Sequence, residues 1–197
     1  MAKRASITSP VARFHRWFTA ATRAGAPLPD AMALATADRR GRPSVRFVLL
    51  KGADVRGFVF YTNGRSRKGR ELSRNPHASA VFYWDAIGKQ VRIDGAITPV
   101  AVAEADAYWA TRPRESQLAA LASHQTAPLP SHAALLARWK ELGRRHHGKA
   151  IRRPPGWIGF RLVPTAIEFW TRGAHRLHRR ELFTRRGHEW RRVLLQP

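Results

Sequence analysis

Hydrophobic and polar positions alternate through the middle of the chain with the period of two that a half-buried strand imposes. Ala31–Ala37 (AMALATA) runs into a polar turn at Asp38–Pro43, and Ser44–Lys51 (SVRFVLLK) follows as a strand rich in β-branched and aromatic residues. Gly52–Gly57 reads as a further turn, Phe58–Thr62 as a third strand, and Ala78–Trp84 and Gln90–Val100 as two more. Short strands joined by tight turns predict antiparallel pairing, closed into a barrel or sandwich. From Val102 to Gly148 the period changes. Leu118, Leu121, Leu135, Leu136, Trp139 and Leu142 recur at helical spacings, with Thr126–Pro130 dividing two helices. A helix over about Pro10–Arg23 carries Phe14, Trp17 and Phe18 as an aromatic face. After a linker candidate at Lys149–Pro155, strands resume at Trp157–Leu162, Ala166–Thr171, Leu182–Arg185 and Trp190–Leu194. The pattern predicts one α+β domain over residues 1–197, with helices around an antiparallel barrel and residues 1–9 as a flexible N-terminus.

Charge and composition narrow the function. The chain carries 36 Lys+Arg against 13 Asp+Glu, a net charge of +23, and 30 of the cations are Arg. The planar guanidinium fork favours phosphate and carboxylate, so anionic partners are expected. The absence of Cys excludes disulfides, thiolate catalysis, Cys-type zinc sites and iron–sulfur clusters. None of the nine His shows a metal-ligand spacing, and no metal site is expected. No apolar run approaches the roughly 20 residues that span a bilayer. Residues 1–29 lack acids, as a transit peptide does, but the aromatic face at Pro10–Arg23 reads as a packing surface. A cytoplasmic protein without membrane attachment is expected.

Three constellations carry chemistry. In Tyr61-Thr62-Asn63-Gly64-Arg65-Ser66-Arg67-Lys68-Gly69-Arg70-Glu71-Leu72, a strand ends, Asn63-Gly64 turns the chain, and Ser66 caps a helix running to about Arg74. Arg67 and Lys68 then stand in the first turn, at the positive end of the helix dipole. An anion bound by the free N–H groups and both side chains would resolve that conflict, the alternative being a solvated basic turn. In Tyr108-Trp109-Ala110-Thr111-Arg112-Pro113-Arg114-Glu115-Ser116, Pro113 disfavours helix at Arg112 and predicts a break there. Tyr108, Arg112 and Ser116 converging at that break would suit a phosphate as well as a plain helix junction. In His175-Arg176-Leu177-His178-Arg179-Arg180, an extended strand would put Arg176, His178 and Arg180 on one self-repelling face. Something anionic or electron-rich is expected against it. Lys51 could join such a site, but Arg46 and Lys51 face opposite sides of a regular strand, so a shared ligand requires a bend.

Taken in order, Arg46-Phe-Val-Leu-Leu-Lys51, Tyr61-Thr62, Ser66-Arg67-Lys68, Gln90, Arg112-Pro-Arg-x-Ser116-Gln117, Gln125, Glu168-Phe-Trp170 and Arg176-Leu-His178-x-Arg180 resemble the pyridoxine/pyridoxamine 5′-phosphate oxidase family. The resemblance runs from about Val11 to the C-terminus. It implies an FMN-binding, Greek-key-like split barrel and a homodimer with FMN at the subunit interface. It places FMN against Arg46, Tyr61, Thr62, Ser66, Arg67, Lys68, Gln90, Gln125, Thr126, Trp170 and Arg180, with the FMN phosphate at Arg67 and Lys68. It places the phosphate of a B6 vitamer at Lys51, Tyr108, Arg112 and Ser116. Arg176 and His178 would lie over the pyridine ring and act in catalysis. The implied reaction oxidises pyridoxamine or pyridoxine 5′-phosphate to pyridoxal 5′-phosphate, with O2 accepting the electrons and H2O2 released. The chain departs from the family in a short N-terminal segment, in Thr126 where Ser is common, and in its closing Leu195-Gln196-Pro197.

Two rival readings stand beside this one. A related FMN oxidase of phenazine-type secondary metabolism would act on a non-phosphorylated ring, for which Lys51 and the Tyr108/Arg112/Ser116 set have no use. A nucleic-acid-binding module would exploit residues 142–197, with 14 Lys+Arg against 3 acids. Yet those cations are spread through strands and turns without a recognised nucleic-acid motif, so nucleic acid is not the expected partner.

Overall fold

The computed structural model describes residues 9–187 and 189–197. Most of the N-terminus expected to be flexible, residues 1–8, lies outside the described residues. Helix α1 (Pro10–Arg23) has Pro at its first position, where the missing N–H is no loss, and buries Phe14, Trp17 and Ala21. Strand β1 (Ala31–Ala37) alternates strictly, with Met32, Leu34 and Thr36 inward. Strand β2 (Pro43–Leu49) pairs with it, leaving Val45, Phe47 and Leu49 exposed. The segment read as a turn at Gly52–Gly57 contains a short strand, β3 (Gly52–Asp54), in a hairpin with β4 (Gly57–Asn63). Helix α2 (Arg67–Arg74) follows, then β5 (His77–Trp84) and β6 (Lys89–Pro99).

Helices α3 (Val102–Ala110), α4 (Arg114–Ala122) and α5 (His132–Arg145) fill the helical stretch, divided at Pro113 and again around Thr126–Pro130. Lys149–Pro155 is not a free linker. Ile151 is buried, and the Trp109 indole N–H donates to its carbonyl at 2.7 Å. The two strands expected over residues 157–171 are one, β7 (Trp157–Thr171), carried past Pro164 by a register shift at Asp94/Gly95 of β6. Its first half pairs with β4 and its second with β8 (Arg179–Arg186), while β6 pairs along both. Strand β9 (Glu189–Leu195) closes the sequence against β8.

The result is an antiparallel nine-stranded sheet of order β2-β1-β5-β6-β7-β4-β3, with β8 and β9 branching from β7. It curls into a half-barrel of the split-barrel type, an α+β fold. Phe14 of α1 plugs its interior, edge-on to Phe58 (4.9 Å) and Phe82 (5.1 Å). A second apolar cluster of Trp109, Leu118, Ile151 and Trp157 seats α3 and α4 beside β4 and β7. No helix among the described residues is long and apolar enough to cross a membrane.

Candidate active site

A cleft of about 420 Å³ opens between the end of β2, β4, α2 and the α3–α4 junction. Lys51, Tyr61, Thr62, Lys68, Tyr108, Arg112, Ser116 and Gln125 all line it. Tyr61 lies flat against Tyr108 (4.3 Å, 10°) and Trp157 (4.8 Å, 4°). Gly159, its cross-strand partner, makes this possible, because a Cβ there would stand 2.6 Å from the Tyr61 ring. The helix break at Pro113 leaves Arg112 between α3 and α4 and puts Ser116 in the first turn of α4. The Arg112 guanidinium lies over the rings of Trp109 (5.2 Å) and Trp157 (5.0 Å). Its Nη1 is buried without a hydrogen-bond partner among the described residues, and burial lowers its pKa despite the opposing effect of Tyr108. An unpaired buried guanidinium N–H is costly and is expected to meet an anion. Lys51 enters the cleft beyond the end of β2, its Nζ donating to Asp30 at 2.9 Å.

At the start of α2, Ser66 is fully buried and caps the helix, its Oγ accepting from the Gly69 N–H at 3.2 Å. Lys68 is also buried, yet among the described residues its Nζ reaches only neutral acceptors: Thr62 Oγ1 and Gln125 Oε1, each at 3.2 Å. Burial, with the Arg46 charge nearby, pushes the Lys68 pKa down to about 8. Thr126 takes a left-handed φ of 70° and accepts from the Arg67 main-chain N–H at 3.0 Å. Glu71 is the carboxylate in this group. Its Oε1 accepts from Arg67 Nε at 2.8 Å, and its Oε2 from Thr36 (2.5 Å) and Ser44 (2.6 Å). Burial would raise its pKa, but those hydrogen bonds and Arg67 prevail and hold it at about 2. Arg46 sits behind the cleft rather than in it, donating to Leu34 O, Thr36 and Ser44, and reaching Glu71 at 3.4 Å. Arg46, Arg67, Lys68 and Glu71 together are +2, the complement of a phosphate monoester dianion. This donor set fits a phosphate-bearing cofactor.

The remaining expected residues gather elsewhere. Gln90, Trp170 and Arg180 are cross-strand partners on β6, β7 and β8. The His178 ring lies 4.6 Å from that of Trp170. Arg180 is held by buried Glu168, whose hydrogen bond at 2.7 Å raises the guanidinium pKa. The extended strand expected from His175 does not form. Ala174–Arg176 is a 3₁₀ turn, His175 and Arg176 have φ of 52° and 63°, and β8 begins only at Arg179. Arg176 therefore projects from a tight loop at an exposed position rather than from a sheet face. Trp170 lies thirteen positions along β7 from Trp157 of the cleft, a run of up to about 40 Å of extended strand. One chain thus holds two separate groups of candidate residues.

Trp157 and Ser123 line the cleft from outside the motifs, whereas Asn63 and the exposed Phe47 and Leu49 stood within motifs without being assigned a role. Exposed apolar residues alternating on an edge strand are the signal that would have found the last two. Asp30, which pairs with Lys51, carries no motif, and Glu71, which pairs with the arginines, lay within the first constellation without a role.

Residues 18–146 match the family described as pyridoxamine 5′-phosphate oxidase, and residues 157–197 match the pyridoxine 5′-phosphate oxidase C-terminal dimerisation region. A pyridoxine/pyridoxamine 5′-phosphate oxidase of Rubrobacter xylanophilus is 52% identical over 188 residues, covering 95% of this chain and 87% of the relative. The enzyme of that name from Anaeromyxobacter dehalogenans is 50% identical over 188 residues, covering 95% of each. Among solved structures, PhzG from Burkholderia lata 383, in complex with tetrahydrophenazine-1-carboxylic acid, superposes with a TM-score of 0.91 at 39% identity. That match covers 95% of this chain and 92% of PhzG. An FMN-binding, pyridoxamine 5′-phosphate oxidase-related protein from Nostoc punctiforme shares the fold, with a TM-score of 0.77 at 18% identity over 96% and 99% of the two chains.

Proposed function

The chain belongs to the pyridoxamine 5′-phosphate oxidase family, and on that premise we propose that it oxidises pyridoxamine and pyridoxine 5′-phosphates to pyridoxal 5′-phosphate. FMN is the cofactor, O2 the electron acceptor and H2O2 a product, and the amine substrate also takes up water and releases ammonia. The observation that carries the phosphorylated substrate is Arg112, whose buried Nη1 has no partner among the described residues although Lys51, Tyr108 and Ser116 line the same cleft. That set recognises a phosphate, and a bare ring would leave it unsatisfied.

Bound FMN would supply the two-electron acceptor for oxidation at the substrate 4′ carbon, with O2 as the final acceptor. Arg67, Lys68 and the start of α2 hold its phosphate, with Arg46 supporting them from behind. Lys51, Tyr108, Arg112 and Ser116 fix the substrate phosphate, and Arg176 and His178 orient the ring. Holding the reacting carbon at a fixed position is the protein's main contribution to rate.

The two groups of residues become one site in a homodimer. One protomer supplies the cleft, and its partner supplies the Gln90–Trp170–Arg180 face with the Arg176–His178 loop. The match to a dimerisation region over residues 157–197, which include β7, β8 and β9, supports this arrangement. So do the exposed Val45, Phe47 and Leu49 of β2.

The likeness to PhzG favours a second reading, an FMN oxidase acting on a non-phosphorylated ring. Purified protein supplied with FMN separates the two. Conversion of pyridoxamine 5′-phosphate to a product absorbing as pyridoxal 5′-phosphate is expected. No turnover with either phosphorylated vitamer would overturn the proposal, and colourless protein that takes up no FMN would overturn the cofactor as well.

A further inference from the structure

We infer that Glu71 is the positioning residue of the cofactor site, holding Arg46 and Arg67 in the geometry that receives the FMN phosphate. The inference rests on the flavin reading above and goes beyond it to a carboxylate that would itself repel the ligand it serves.

The hydrogen bonds of Glu71 have only one consistent direction. Thr36 and Ser44 each own a single hydroxyl proton, and both donate it to Glu71 Oε2, at 2.5 and 2.6 Å. Their lone pairs are thereby turned toward Arg46, whose Nη1 donates to Thr36 at 2.6 Å and whose Nη2 donates to Ser44. The other oxygen, Oε1, takes Arg67 Nε at 2.8 Å, one helical turn back along α2. Arg46 comes from β2 and Arg67 from α2, and Glu71 with its two hydroxyls is what ties the two guanidinium groups together. Arg67 is the more exposed, its side chain retaining 58% of its accessible surface. Without Oε1 it would sample many rotamers, and ordering it on binding would cost affinity.

Two effects of opposite sign meet here. A carboxylate beside a phosphate weakens binding by repulsion, and a carboxylate that preorganises two cations strengthens it. The closed donor–acceptor chain, buried on the Oε2 side, makes the second effect dominant. An amide cannot replace it. Glu71→Gln must turn its NH2 either on Arg67 Nε–H, donor against donor, or on the two hydroxyls, which must then rotate their protons away and accept from both Arg46 and the amide, and in either case the charge that holds both guanidinium groups is lost.

The test titrates the full-length apoprotein with FMN and with riboflavin, which lacks the phosphate, following flavin fluorescence. Wild type should bind FMN much more tightly than riboflavin. Glu71→Gln should lose roughly tenfold in FMN affinity, the scale of a charged hydrogen bond, with riboflavin affinity unchanged. Ser44→Ala removes one relay at a partly exposed position. It should shift FMN affinity the same way by a smaller factor, which provides a reading if Glu71→Gln fails to fold. Unchanged or tightened FMN binding in both variants overturns the inference. Equal losses for FMN and riboflavin would make Glu71 a scaffold residue and also overturn it. A wild type that binds neither flavin, or that binds both equally, would remove the flavin-phosphate reading and this inference with it.

Discussion

The main-chain N–H of Gly173 donates to Nδ1 of His178 at 3.2 Å, and that bond decides what the imidazole can offer. With Nδ1 as acceptor, the neutral ring carries its proton on Nε2 and presents a donor there. The loop is built to keep it so. A Cβ on Gly173 would stand 2.1 Å from the Leu177 carbonyl oxygen. His175 and Arg176 hold left-handed φ angles, at roughly 1–3 kcal/mol each, a cost retained where surrounding structure fixes the conformation.

Gly173→Ala is therefore expected to displace His178 and Arg176 together. Turnover of pyridoxamine 5′-phosphate should fall by roughly 10²-fold, the scale of a misplaced reacting group. FMN affinity, measured by fluorescence titration, should stay at the wild-type value.

Arg176→Ala separates catalysis from cofactor binding. Its kcat should fall by roughly 10²-fold while the protein still purifies yellow. Wild-type turnover in this variant would remove Arg176 from the active site. Paired loss of Arg67 and Lys68 should do the reverse, weakening FMN itself.

Lys68 gives FMN binding a pH dependence. Its pKa in the apoprotein is pushed down to about 8, below the ordinary lysine value of 10.5. The protonated amine is the form that binds phosphate, and the FMN phosphate is already a dianion above about pH 7. FMN affinity should thus be flat from pH 7 to near 8 and fall above it, by up to about tenfold per pH unit. Lys68→Met should bind more weakly and remove the slope. An affinity independent of pH between 8 and 10 would contradict the assignment.

Arg112 should show a trade between stability and recognition. Arg112→Gln is expected to raise KM for the phosphorylated substrate by about 10- to 100-fold, as loss of a charged hydrogen bond does. It should change the thermal midpoint of the apoprotein little, because removing a buried N–H without a partner among the described residues offsets the lost packing over Trp109 and Trp157.

Much of this was legible along the chain. The strict alternation of Ala31–Ala37 and the aromatic spacing of Pro10–Arg23 gave β1 and α1, and Pro113 gave the break that presents Arg112. The failures share a cause. Pro164 reads as a strand breaker, but a bulge at Thr165, the residue skipped between the partners of Asp94 and Gly95, lets the strand continue. His175–Arg180 alternates as a strand would, but the left-handed His175 and Arg176 turn the chain back so close to Gly173 that a Cβ there would strike the Leu177 carbonyl, a backbone approach that leaves no side-chain pattern. Glu71 looks like one acid in a basic helix because its hydroxyl partners, Thr36 and Ser44, lie 35 and 27 residues away.

Trp157 and Trp170 stand near opposite ends of β7, one in the cleft and one on the β6–β8 face. In a twofold assembly each copy of that strand serves two centres at once, so its length is a dimension of the dimer as much as of the barrel. Inserting two residues would return every later side chain to its own face of the sheet. It would still shift the halves of both centres by about 7 Å. In the proposed dimer the two active sites would be set by one gauge, and neither could be respaced without the other.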